Sequence, residues 1–96
     1  MPRPTVEVRN VNHPDYRGRA DAAKYDAMKN ALKVALAGPC HLTQSQMIDA
    51  VKAYLPQDLF PGGKTAGWWC KTVQLDLEAR GEMGRSATKP LRFFWT

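Results

Sequence analysis

Leu42-Thr43-Gln44-Ser45-Gln46-Met47 marks the start of a helix to within one residue. The Thr43 hydroxyl can accept the backbone N–H of Gln46 while the Gln46 side chain returns to the N–H of Thr43. Two donors that every helix start leaves unpaired are thus satisfied reciprocally. Leu42 and Met47 stand at the two staple positions around this box. With that start in place, Met47, Ile48, Val51 and Leu55 share one face. The helix is predicted to end before Pro56, because a residue preceding proline disfavours helical dihedrals.

Two further helices flank it. Asp21 is a cap for a helix on which Tyr25, Met28, Leu32 and Leu36 recur at three- and four-residue steps, with Lys24, Lys29 and Lys33 off that stripe and Gly38-Pro39 as its stop. Residues 55–63 form a connection that Leu59 and Phe60 plug onto the core. The third helix is predicted over residues 65–80, with Gly81 in the C-terminal capping place. Centred on Val73, its core face holds Ala66, Trp69, Val73 and Leu77, flanked by Cys70. Trp68 and Leu75 fall nearly opposite, beside Lys64 and Lys71, and form a second apolar patch.

The ends read as strands. Residues 5–11 alternate around Val6 and Val8 as a half-buried strand, and residues 12–18 form a turn-rich connection without regular structure. Leu91, Phe93 and Trp95 alternate after Lys89-Pro90, so residues 82–95 are predicted to form a C-terminal hairpin. An unpaired strand at Val6 and Val8 can join that hairpin's sheet, or the sheet of a second subunit.

A chain of 96 residues with 44% apolar content supports one packed domain without needing disulfides or a structural metal. The reading is an α+β fold, with residues 1–20 as an N-terminal arm carrying a short strand and residues 21–96 as the domain. No stretch approaches the roughly 20 apolar residues of a membrane span, and Met1-Pro2-Arg3-Pro4 lacks the apolar core of a signal peptide. No membrane partner and a cytoplasmic location are the expectations. Cys40 and Cys70 read as small buried hydrophobes, and with His13 and His41 they match no zinc spacing, so neither metal nor cofactor is expected.

The formal net charge is +5, and the excess lies in the arm and the C-terminal third. Such a distribution suits an acidic partner such as nucleic acid, because phosphate affinity scales with the number of cations displacing counterions. It equally suits a solubilising surface.

Three helices followed by a hairpin, with T-x-x-Q opening the second helix and Leu77-Glu78-Ala79-Arg80-Gly81 closing the third, resemble a winged-helix domain. Residues 42–51, 77–81 and 83–95 carry that resemblance. Residues 58–69 and 72–79, with Asn10-Val11-Asn12-His13-Pro14 and residues 21–25, look like a group of small bacterial proteins of unknown function. The winged-helix resemblance implies that the third helix enters the major groove of double-stranded DNA while the wing touches the backbone. Carried over by position, Lys64, Lys71, Thr72 and Gln74 are the groove-facing candidates, and Arg85, Lys89 and Arg92 reach phosphates from the wing. Three features depart from the pattern: the link between second and third helices is long, Asp76 and Glu78 put negative charge on the reading helix, and its exposed face carries Trp68 and Leu75.

Those apolar residues support a competing expectation, an interaction or homodimerisation module that uses Val6, Val8, Trp68 and Leu75 without nucleic acid. Packing of Trp68 under the N-terminal segment or the 55–63 connection is the intramolecular alternative. No residue set defines a catalytic site. Cys40 and His41 are neighbours that point apart, and Gly62-Gly63-Lys64-Thr65 echoes the end of a phosphate-binding loop without its leading glycine.

Overall fold

A computed structural model describes residues 4–37 and 41–96. The Gly38-Pro39 stop, Cys40 and its pairing with His41, and the Arg3 charge lie outside the described residues. The order of elements is β1 (Thr5–Val8), β2 (Gly18–Asp21), α1 (Ala22–Ala35), α2 (Gln44–Val51), α3 (Ala66–Ala79), β3 (Met83–Arg85) and β4 (Phe93–Trp95). This is the α+β layout expected, three helices with a C-terminal two-stranded hairpin and an N-terminal strand, and it is consistent with a winged-helix-like arrangement.

The helices begin and end where their local chemistry requires. The Asp21 carboxylate accepts the N–H of Lys24 at 3.0 Å and caps α1. In α2 both arms of the capping box are present, Gln46 N–H to Thr43 Oγ1 at 3.3 Å and Thr43 N–H to Gln46 Oε1 at 2.9 Å. Past Val51 the helix tightens into a 3-10 turn, Lys52–Tyr54, before Pro56. α3 closes in a Schellman motif: Gly81 has φ of 78°, its N–H reaches Glu78 O at 3.1 Å, and the Glu82 N–H reaches Leu77 O at 2.9 Å.

Tyr25, Met28, Leu32, Leu36, Met47, Val51, Leu55, Ala66, Trp69, Cys70, Val73 and Leu77 are all buried, so the stripes anticipated on the three helices meet in one core. Phe60 is fully buried and meets Trp69 edge to face at 6.3 Å, while Leu59 is half-buried, so the connection is plugged as its two apolar residues suggest. Phe93 is buried, with Leu91 and Trp95 packed against the core, and the Trp95 indole N–H donates to Leu32 O at 3.2 Å. The staple residue Leu42 also exchanges backbone hydrogen bonds with Phe93 at 2.7 and 3.2 Å, adding a third segment beside the hairpin.

The N-terminal segment differs from expectation. Its strand stops at Val8 and does not join the C-terminal hairpin. It pairs antiparallel with Gly18–Asp21, from Thr5 opposite Asp21 to Val8 opposite Gly18. Two successive turns, His13 N–H to Asn10 O at 3.0 Å and Tyr16 N–H to His13 O at 2.9 Å, fold the connection back. Val8 and Ala20 then face the core together. Val8, a candidate interface residue, is 3% exposed and belongs to that core, and Val6 is half-buried against it.

Candidate functional site

The strand ends at Val8 because the next N–H leaves the ladder: Arg9 N–H donates to Asp76 Oδ1 on α3 at 2.7 Å. Asp76, fully buried, also accepts the Tyr25 hydroxyl from α1 and the Arg80 Nε–H at 2.9 and 3.0 Å. Arg80 in turn donates to the backbone carbonyl of Glu7 at 2.9 Å. A buried carboxylate is tolerated only when paired and hydrogen-bonded, and here the donors come from β1, α1 and α3. Burial, and then the bond to Asp76, push the Tyr25 phenol above its ordinary pKa. Burial opposes the charge of Arg80, yet the bond to Asp76 raises its pKa overall.

Glu78 is treated likewise. It is 9% exposed and takes both Nε and Nη2 of Arg85 from β3, a pairing that raises the pKa of Arg85. The negative charge anticipated on the reading helix is therefore turned inward and compensated. Helix phase puts Asp76 about 60° from Val73, on the flank of the core face, whereas Glu78, about 140° away, is covered by Arg85 and the neighbouring hairpin.

The outward face of α3 retains part of the expected set. Lys64 and Lys71 are exposed, as are Lys89 and Arg92 on the loop between β3 and β4, and among the described residues none of the four has an ion-pair partner. Thr72 and Leu75 are half-buried beside the β1–β2 hairpin. Gln74 must be struck from the groove-facing set: it is 2% exposed, and its Oε1 accepts from Gln44 on α2 at 3.3 Å. The Arg85 guanidinium is committed to Glu78 and lies 5.5 Å from the Phe93 ring centre, so it braces the hairpin against α3.

Trp68 is 61% exposed and meets Trp69 edge to face at 5.0 Å. It lies neither under the N-terminal segment nor under the 55–63 connection; instead it stands at the rim of a cleft between α3 and the β1–β2 hairpin. Arg9, Tyr16, Arg19, Trp68, Thr72 and Leu75 are among the lining residues, and no acidic side chain lines it among the described residues. The sequence does not show this cleft, because Arg9, Tyr16 and Arg19 read there as parts of an arm. The recoverable signal was the spacing of Val8 and Ala20 around a turn.

Among the described residues no group of three or more His, Cys, Asp or Glu side chains could hold a metal ion, and no helix is long and apolar enough to cross a membrane. Cys70 is fully buried, and burial pushes its thiol pKa up to about 12. No curated protein and no solved structure matches the chain. A model described as Family of unknown function (DUF6958) matches residues 5–93, and the chain belongs to that family.

Proposed function

We propose that this member of the DUF6958 family is a winged-helix module that binds double-stranded DNA through the outward face of α3 and the β3–β4 loop. The observation that carries the reading is a set of four exposed cations without ion-pair partners among the described residues: Lys71 on α3, Lys64 just before its start, and Lys89 and Arg92 on the β3–β4 loop. The acids of α3 support it, because Asp76 and Glu78 are held inside by Arg80 and Arg85 and do not oppose phosphate. Lysine and arginine at this density act mainly on the backbone, so binding is weakly selective for sequence.

The test is a fluorescence-anisotropy titration of labelled random-sequence duplex at about 50 and 200 mM salt. Affinity should fall by orders of magnitude between the two. Replacing Lys64, Lys71 and Arg92 by Ala should reduce the log–log slope by about one for each phosphate contact removed. An unchanged slope in the triple variant refutes the assigned surface.

A second reading rests on Trp68. Its exposure gives α3 an apolar anchor of the kind that interfaces use, for a second copy of the chain or another protein. Sedimentation of Trp68→Ala beside the parent separates the two, since an interface predicts loss of mass and a DNA surface predicts none.

A further inference from the structure

We propose that the cleft between the β1–β2 hairpin and α3 holds an unpaired nucleotide, its base against Trp68 and its phosphate against Arg9 and Arg19. This rests on the nucleic-acid reading above and adds the class of nucleic acid: a duplex with an adjoining single-stranded segment.

Three features of the cleft point the same way. Its exposed aromatics, Trp68 at 61% and Tyr16 at 48%, offer flat apolar surface in a charged setting. Bases in a duplex are already stacked, so only an unpaired base can present its face to such a platform, and single-strand sites combine aromatic platforms with cations in this way. Among the described residues the lining holds two cations and no acid: Arg19 bonds to the Thr5 hydroxyl at 2.9 Å, and Arg9 forms an ion pair at 3.6 Å with Glu7, which lies outside the lining. The Arg9 Nε–H is buried and makes no hydrogen bond within the described residues, its partner being that Glu7 carboxylate at ion-pair distance. The cleft volume, about 300 Å³, is at the lower end of the range for small-ligand sites.

Gly18 places the second aromatic. The Tyr16 ring folds directly over it, in space that a Cβ would occupy. Gly18 lies in an ordinary strand conformation, so Gly18→Ala leaves the backbone acceptable and displaces only the Tyr16 ring.

The experiment compares a blunt duplex with the same duplex carrying a single-stranded tail of about six nucleotides, for the parent, Trp68→Ala and Gly18→Ala. The parent should prefer the tailed duplex on the order of tenfold, with quenching of tryptophan emission, and both variants should lose the preference. If Trp68→Ala fails to fold, Gly18→Ala alone decides. Equal affinity of the parent for both duplexes, with a steep salt slope, overturns the cleft and leaves DNA binding standing. No binding to either overturns both. Displacement of the tailed duplex by poly-glutamate as readily as by an oligonucleotide identifies an acidic-peptide site and overturns the nucleotide assignment.

Discussion

The backbone N–H of Arg9 donates to the carboxylate of Asp76 at 2.7 Å, joining residues 67 positions apart. This bond makes the N-terminal hairpin a wall of the α3 surface. Because Asp76 also holds Tyr25 and Arg80, one buried carboxylate sets the relative placement of β1, α1 and α3. The cleft beside Trp68 exists only while that placement holds.

Asp76→Ala should therefore be the most damaging single polar change, costing about 3–5 kcal/mol, since Arg80 keeps its charge and loses its partner. Urea denaturation gives the magnitude. Hydrogen exchange of the Arg9 amide, measured in Asp76→Asn, should rise well before global unfolding as the hairpin loosens.

Tyr25 gives the fold an alkaline limit. Its folded-state pKa is raised above the unfolded value of about 10, so the neutral phenol's contribution is fully present below pH about 10 and is lost as pH rises through the folded pKa. Tyr25→Phe should cost on the order of 1 kcal/mol at pH 7. The gap between parent and variant should close in denaturation curves taken at increasing pH above that value.

Cys70 should be chemically silent. With its thiol fully buried and its pKa pushed up to about 12, almost no thiolate is present at neutral pH. In a Cys40→Ser background, a disulfide reagent should label Cys70 only at the rate of unfolding. A burst of labelling in the native state contradicts this packing.

The α2 start should behave as one reciprocal unit. Thr43→Ala should cost about 1 kcal/mol, and Thr43→Ala with Gln46→Ala should cost less than the sum of the single changes, because each removes part of the same box. Thermal melts of the three variants measure the coupling.

What was legible in the sequence was local. Thr43 and Gln46, Asp21, Gly81 and the apolar stripes act within one or two helical turns, and the structure has them where their chemistry places them. β2 was not legible because Gly18-Arg19-Ala20-Asp21 offers only Ala20 as an inward apolar residue, and its pairing is imposed by the turn and by Val8. Residue type alone reads Gln74 and Asp76 as groove and surface groups, although Asp76 lies on the flank of the core face and Gln74 is covered by Gln44 of α2. The Asp76–Arg80 spacing of four was a visible sign of pairing. Arg9, Tyr16 and Arg19 reach the candidate site only through tertiary contacts of the hairpin, which no local pattern encodes.

The most direct test of the DNA-binding account is a two-dimensional amide correlation spectrum titrated with a short duplex. The account predicts shifts concentrated at residues 64–72, at the Trp68 indole N–H and at residues 86–92, weakening as salt is raised. Shifts confined to another face, or an unchanged spectrum at low salt, would contradict it.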